Sequence, residues 1–181
     1  MDYKIVMGMI MESEDKLLEK INGEIKDLDL GYDIVVKGQN GINNIVFFDE
    51  PDLYPGKKAR FRIGYGSIMV FDGDKPILAV EIIPNKNTSP KSMAGPIPVY
   101  MVSRKIKLNY NNGKDKEIEL LDKFPLIIVV PDQPENKRDQ IDDLNEKFEG
   151  IFNLGIEYSA LNDFKICVES DFRTILKKIL K

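Results

Sequence analysis

The hydrophobic positions of the chain follow two spacings, one typical of helices and one typical of strands. Across Met11–Leu30, apolar side chains recur every three or four residues, which predicts a helix with one apolar stripe. Ser13 is the expected N-cap of this helix, and Gly31 is the expected glycine after its last turn. The same spacing predicts a helix over Arg138–Phe152 and a closing helix over Asp171–Leu180.

Short apolar runs predict the strands. Ser67–Phe71 and Pro76–Ile83 are separated by the turn-forming residues Asp72-Gly73-Asp74-Lys75, so we predict that they form an antiparallel hairpin. Pro125–Val130 (PLIIVV) has the strongest strand pattern, and we expect it to be central in its sheet. Three further runs are predicted strands: Tyr32–Lys37, Ile45–Phe48 and Phe164–Val168.

Two segments after the hairpin have weaker patterns. Val99–Leu108 fits a helix that begins at Pro98, but its alternating residues also suit a strand, and we favour the helix. Glu117–Leu121 is predicted to form one helical turn. Proline and turn-forming residues predict loops over Asp49–Arg60 and Asn85–Pro98.

The order of elements predicts an α/β fold: a single domain over 1–181 with a mixed central β-sheet flanked by helices. The predicted core consists of side chains on the apolar faces of these elements: Leu17, Ile21, Ile68, Val70, Leu78, Val80, Ile127, Val129, Phe148, Ile166 and Cys167.

Composition limits the class of protein. Hydrophobic residues make up 43% and charged residues 31%, which is typical of a soluble globular protein. No apolar run approaches the ~20 residues that cross a bilayer, and the first residues suggest a strand or the start of a helix rather than a signal peptide. Cys167 is the only cysteine, so no intramolecular disulfide can form. We therefore expect a cytoplasmic protein with no membrane partner.

The absence of histidine excludes several chemistries. Ser-His and Cys-His catalysis, histidine-bound zinc and phosphohistidine intermediates all require that residue. What remains is carboxylate, lysine, tyrosine or hydroxyl chemistry, with any metal held by oxygen ligands of the kind that Mg²⁺ prefers.

Glu81 is the candidate functional acid. A carboxylate within the apolar run PILAVEII is costly to bury unless it is paired. One hypothesis makes Glu81 a metal ligand, and the other makes it a strand-end carboxylate paired with Arg60, Arg62 or Lys86.

The net charge of −4 provides no general attraction to nucleic acid, so local basic residues would have to supply it. A phosphate-contacting surface and a solvated set of charges both remain open. The candidates are Lys57, Lys58, Arg60, Arg62, Lys91, Arg104, Lys105 and Lys107.

Two segments, FDGDKPILAVEII and FPLIIVVPD, resemble the PD-(D/E)XK, or restriction-endonuclease-like, superfamily. The resemblance implies a hairpin with an acid near the start of one strand and an acid-x-lysine triplet at the end of the next, followed by a helix and another strand. In that family the acids hold a divalent metal that activates water, and the lysine positions the nucleophile. Glu81 falls on the second acid, whereas Ser67 takes the place of the first and Ile83 that of the lysine.

Three functions follow as hypotheses. The first is a nuclease-like protein without strong catalysis, which binds DNA or RNA through the basic residues named above. The second is an active nuclease whose site has migrated, with Glu81 and Asp72 or Asp74 holding Mg²⁺ and Lys86 replacing the missing lysine. The third is an α/β interaction module or subunit with no nucleic-acid role.

Overall fold

A computed structural model of the chain describes residues 3–49, 62–85, 88–153 and 159–180. Within these ranges the chain forms a mixed α/β fold. The helices are α1 (Tyr3–Lys26), α2 (Pro90–Ala94), α3 (Ile97–Val102), α4 (Glu135–Asn153) and α5 (Phe172–Ile179). The strands are β1 (Asp33–Val36), β2 (Ile42–Phe48), β3 (Arg62–Gly66), β4 (Ile68–Asp72), β5 (Lys75–Ile82), β6 (Lys105–Tyr110), β7 (Lys116–Glu119), β8 (Phe124–Val130) and β9 (Leu161–Val168).

The larger sheet has five strands in the order β1-β4-β5-β8-β9. Strand β4 is antiparallel to both of its neighbours, and β5, β8 and β9 are parallel to one another. The predicted hairpin is confirmed, because Ile68 lies opposite Val80 and Asp72 lies opposite Lys75. The PLIIVV run is also inside the sheet as predicted, with β5 on one side and β9 on the other.

A second, antiparallel sheet has the order β3-β2-β6-β7, whereas the sequence predicted one central sheet. The helix favoured for Val99–Leu108 is wrong in its second half, because α3 ends at Val102 and β6 begins at Lys105. The physical reason is alternation: Ile106 and Leu108 enter the core, while Lys105 and Lys107 face away from it. The helical turn predicted over Glu117–Leu121 is also wrong, since β7 buries Ile118 between two outward glutamates.

Helix α1 is longer at its start than predicted. It begins at Tyr3, so Ser13 lies within the helix and is not its N-cap. It ends at Lys26, several residues before Gly31, whose φ of +73° is in the left-handed region that favours glycine. The apolar stripe was predicted correctly, but both helix ends were misplaced.

The core is divided by the five-stranded sheet. On one face, Ile68, Val70, Leu78 and Val80 pack with α1 and α5. On the other face, alternate residues of β4, β5 and β8 pack with the second sheet and with α2, α3 and α4. They include Met69, Ala79, Leu126 and Ile128. All the predicted core residues are buried except Phe148, which is half-buried on α4 with its ring edge-on to Phe164 at 5.2 Å.

Strand β9 ends the five-stranded sheet, and its free side is occupied by a side chain of α4. The Nδ2 of Asn145 donates to the carbonyl of Ile166 at 2.8 Å. Its Oδ1 accepts from the Ile166 backbone N–H, also at 2.8 Å. The buried amide therefore satisfies both outward backbone groups of one strand residue.

None of the helices in the described ranges combines the length and the apolar character needed to cross a bilayer.

Candidate functional site

Glu81 lies near the carboxyl end of β5, on the face that looks toward the second sheet. Its neighbours Val80 and Ile82 point to the opposite face, where they join the cluster beneath α1 and α5. Across the parallel pair, Glu81 lies opposite Ile128 of β8. The carboxylate is therefore set among core side chains, although the residue keeps part of its surface exposed.

The direct partner of Glu81 is Tyr100 of α3. The Tyr100 hydroxyl donates to Oε2 of Glu81 at 2.6 Å, and the tyrosine is fully buried. Its ring packs against Phe47 of β2, with 4.5 Å between the ring centroids. One side chain thus connects α3 to both sheets.

Two glycines of β3 make room for α3. A Cβ atom at Gly66 would lie 2.7 Å from Cε2 of Phe47 and 3.0 Å from the Tyr100 hydroxyl oxygen. A Cβ atom at Gly64 would lie 2.7 Å from Cγ1 of Val99. Any larger residue at either position would press on the helix, so the sequence RIGYG suits this close approach.

Ser67 lies beside Glu81. The hairpin pairs Ile68 with Val80, and continuing that register places Ser67 opposite Glu81. Its Oγ accepts from the backbone N–H of Ile82 at 3.2 Å, which leaves the hydroxyl proton free to bind Glu81. The backbone and hydroxyl of Ser67 both stabilise the ionised carboxylate.

Burial dominates the electrostatics of this site. Desolvation raises the pKa of Glu81, and hydrogen bonds from Tyr100 and Ser67 offset part of that rise, so that the pKa is about 7. The positive charge of Lys37 also favours the carboxylate, but the Lys37 ammonium is shared with Glu14 at 3.3 Å. Burial and the neighbouring carboxylate raise the pKa of Tyr100 well above its ordinary value, so this phenol remains a hydrogen-bond donor.

The partners predicted for Glu81 are not the ones observed. The guanidinium of Arg62 lies over the ring of Tyr65, 5.2 Å from its centroid. Arg60 and Lys86 lie outside the described residues. Sequence reasoning missed Tyr100, although a single tyrosine in the apolar segment IPVYMV signals a hydroxyl that needs a buried partner.

The structure does not bring Asp72 or Asp74 to Glu81. Asp72 pairs with Lys75 at the turn of the hairpin, six residues along β5 from Glu81, a separation of roughly 20 Å. Asp74 instead accepts from the Lys116 ammonium at 2.6 Å. Carboxylates that far apart cannot share one metal ion, and among the described residues no three acidic or thiol side chains are grouped to hold one.

The basic candidates are distributed unevenly. Three of those described, Arg62, Lys105 and Lys107, lie on the outer face of the second sheet, where Arg62 and Lys105 flank Phe48. Lys91 lies on α2, and Arg104 lies in the link before β6. The residues Lys57, Lys58 and Arg60 lie outside the described part of the chain.

Acids on the same outer face neutralise two of these cations. Lys105 pairs with Glu117 at 3.2 Å, and Lys107 pairs with Asp115 at 2.8 Å. The second pair lowers the pKa of Asp115 and raises that of Lys107. The face is therefore mixed in charge rather than uniformly basic.

Comparisons of the chain with models of protein families, with curated proteins and with solved structures found no match.

Proposed function

We propose that this chain is a nuclease-like protein that binds nucleic acid but lacks metal-dependent hydrolysis. The observation that carries the proposal is the register of the hairpin, which sets Ser67 opposite Glu81. These are the two positions that the resemblance assigns to metal-binding acids. Ser67 carries a hydroxyl where the resemblance expects a carboxylate, so the two side chains lie side by side but cannot bind a metal ion as two acids would.

The restriction-endonuclease-like fold is part of this proposal. The resemblance implies a hairpin followed by a helix and another strand. Here the β4–β5 hairpin is followed by α2 and α3, and then, after β6 and β7, by β8, which is parallel to β5. The order of these elements supports the likeness, and the second sheet would be an elaboration inserted between them.

The residues present do not fit a catalytic Mg²⁺ ion. A hard cation of this kind binds through several oxygen ligands, of which carboxylates supply the charge. The site offers one carboxylate, which has a pKa of about 7 and is already hydrogen-bonded to Tyr100. At the lysine position, Ile83 packs against the core and supplies no charge. We therefore expect no activated water at this site.

Cleavage assays with plasmid DNA, single-stranded DNA and RNA in Mg²⁺ or Mn²⁺ test the loss of hydrolysis. The unmodified protein is expected to leave all three intact. The double variant Ser67→Asp with Ile83→Lys introduces the two missing charges, so calorimetry should show stronger divalent-metal binding. A matched control, Ser67→Asn with Ile83→Met, keeps similar sizes without charge and should show no gain. Mg²⁺-dependent cleavage by the unmodified protein, abolished by Glu81→Gln, would contradict the proposal.

Nucleic-acid binding is the second half of the proposal. Arg62, Lys105 and Lys107 share one sheet face with the exposed Tyr65, a combination suited to phosphate contacts and base stacking. Binding should weaken steeply as salt rises, because each neutralised phosphate releases counterions. Arg62→Ala should reduce affinity several-fold in a fluorescence-anisotropy titration, whereas Lys177→Ala, at an exposed position of α5, serves as the control away from this face.

A specific observation favours a second candidate, an interaction module with no nucleic-acid role. The pairing of Lys105 with Glu117 and of Lys107 with Asp115 neutralises two of the three basic candidates described on this face. If neither the unmodified protein nor the double variant binds metal or nucleic acid, even at low salt, the interaction module becomes the better description.

A further inference from the structure

Two rows of side chains cross the outer face of the four-stranded sheet. Alternate residues of β2, Ile45 and Phe47, enter the core, so the residue that follows each of them lies on the outer face. Each row runs from β3 through β2 to β6: Tyr65, Val46 and Lys107 in one, and Arg62, Phe48 and Lys105 in the other. Two aromatic rings therefore lie on adjacent strands, with two ammonium groups beside them on β6.

A β-bulge brings Arg62 and Tyr65 to the same face. The pairing of β3 with β2 shifts at Ile63, which is an extra residue in β3. Without the bulge, two residues three positions apart in a strand would lie on opposite faces. The guanidinium of Arg62 instead lies over the Tyr65 ring, 5.2 Å from its centroid. The tyrosine remains 45% exposed, so its ring is held at the surface by a cation and is still open to a ligand.

We propose that this outer face binds single-stranded nucleic acid, with bases stacked on Tyr65 and Phe48 and phosphates beside Lys105 and Lys107. This inference rests on the proposed binding of nucleic acid and narrows it to strands whose bases are unpaired. Stacking on aromatic side chains tolerates any base, so the face selects an unpaired strand rather than a sequence.

The charges on this face favour an unpaired strand over a duplex. Both ammonium groups of β6 are already paired, that of Lys105 with Glu117 at 3.2 Å and that of Lys107 with Asp115 at 2.8 Å. Phosphates must therefore compete with carboxylates for these two cations. A duplex encloses the faces of its bases and would depend mainly on such phosphate contacts. An unpaired strand also offers its base faces, and each stacked base strengthens binding roughly tenfold.

The shape of the face leads to the same ligand. The major groove of DNA admits an α-helix or a two-stranded ribbon, whereas this face belongs to a sheet of four strands. Adjacent strands lie about 4.8 Å apart, so β6 is about 10 Å from β3. A nucleotide laid across the strands and met by a lysine side chain spans that distance, with its base on a ring and its phosphate beside β6.

Fluorescence anisotropy with four labelled probes tests the inference on the unmodified protein. The probes are oligothymidylate, oligouridylate, the duplex of oligothymidylate with oligoadenylate, and an abasic strand that keeps the phosphates but has no bases. At least one of the two base-bearing single strands should bind about tenfold more tightly than the duplex and the abasic strand. The stronger of the two identifies the sugar that the face prefers.

Variants of Tyr65 separate stacking from phosphate contacts. Tyr65→Ala should lower the affinity for the base-bearing strand about tenfold and leave that for the abasic strand unchanged. Tyr65→Phe keeps the ring and should bind as the unmodified protein does. Leu30→Ala removes an equally exposed apolar side chain, 45% in each case, from the link between α1 and β1, and should have no effect.

A change on β7 tests the competition between carboxylate and phosphate. Glu117→Gln releases Lys105 from its ion pair, so the affinity for base-bearing and abasic strands should rise by the same factor, up to about fivefold. A measurement on the unmodified protein covers the case in which Tyr65→Ala does not fold. The NMR signals of the Tyr65 ring protons should shift upfield when the base-bearing strand binds, and should not shift with the abasic strand.

The possible failures are distinguishable. If the duplex or the abasic strand binds as tightly as the base-bearing strands, the single-strand inference is overturned while the proposed nucleic-acid binding stands. If Tyr65→Ala keeps full affinity and the Tyr65 ring signals do not move, stacking on this face is overturned. If none of the four probes binds, even at low salt, both the inference and the proposed nucleic-acid binding are overturned.

Discussion

The five-stranded sheet is covered on both faces, whereas the four-stranded sheet has core side chains on one face and charged side chains on the other. Strands of the first sheet are nearly continuous apolar runs, such as IMVF and PLIIVV. Strands of the second alternate, as in KIKL and KEIE. The first sheet therefore buries side chains on both of its faces, whereas the second buries them on one face and presents charged side chains on the other.

The same difference governs how ionisable groups behave. Glu81, in the doubly covered sheet, has its pKa shifted by burial because water is largely excluded. Lys107 and Asp115, on the open face of the second sheet, have theirs shifted by hydrogen bonding to each other. A charge buried in the first sheet therefore affects the free energy of folding strongly, whereas a charge on the solvated face of the second affects it little.

The largest expected effect on stability comes from truncating a side chain in the core. Ile127→Ala, at a fully buried position of β8, should lower the free energy of unfolding by about 4 kcal/mol. Ile118→Ala, on the edge strand β7, should lower it by about 2 kcal/mol, since its surroundings can close more easily. Urea unfolding measures both values. Equal losses at the two positions would contradict the unequal roles of the sheets.

The next effect tests the junction between the sheets. Gly66→Ala adds a Cβ that would lie 2.7 Å from the Phe47 ring, so it should destabilise the protein by about 1 to 3 kcal/mol. Gly150→Ala, in α4, is the matched control, because a Cβ there meets nothing within 4 Å. That control should be neutral or should stabilise the helix by up to about 1 kcal/mol. Thermal unfolding of both variants provides the measurement.

A smaller effect concerns global stability and pH. The folded protein raises the pKa of Glu81 from 4.5 to about 7, so folding favours the protonated form. Its contribution is complete below the lower value and is lost as pH rises toward the upper one. Between about pH 6 and pH 8, the free energy of unfolding should fall by about 1 kcal/mol. Chemical denaturation at both pH values measures the fall, which Glu81→Gln should abolish.

Other shifted groups do not interfere in that interval. Burial raises the pKa of Cys167 from 9.0 to about 12, so the thiol affects stability only at higher pH. Asp115 and Asp132 have lowered pKa values, and their contributions are lost only in acid. A rise in stability from pH 6 to pH 8 would therefore count directly against the burial of Glu81.

The smallest effect is expected on the outer face of the second sheet. Lys105→Gln breaks a partly exposed ion pair with Glu117, and such pairs contribute about 0 to 1 kcal/mol. Unfolding experiments at low and high salt should show a small difference that disappears at high salt. A loss of stability comparable to that of Ile118→Ala would mean that the outer face also contributes to the core.

A part of the fold could be predicted when residues close together in the sequence determine it, and could not when contacts with distant residues do. The β4–β5 hairpin was predictable because two apolar runs flank the Asp-Gly turn. Strand β3 was not, because RIGYG contains two glycines and forms a strand only through its pairing with β2. Strand β7 has a single apolar residue, so its four residues also fitted a helical turn.

The residues of the candidate site also differ in how well the sequence could predict them. Glu81 could be singled out because a carboxylate interrupts an apolar run. Tyr100 could not be assigned as its partner, because their contact depends on where α3 docks, nineteen residues further along the chain. The involvement of Lys37 was hidden for the same reason, since β1 reaches the site only through its pairing with β4.

The amide of Asn145 at the edge of β9 has a consequence for association between copies of the chain. A sheet edge with free N–H and C=O groups can serve as a template for a strand from another molecule. Asn145 donates to and accepts from Ile166 as one peptide group of a sixth strand would. An incoming strand would have to displace this buried side chain before it could pair with Ile166, which opposes growth of the sheet at this edge.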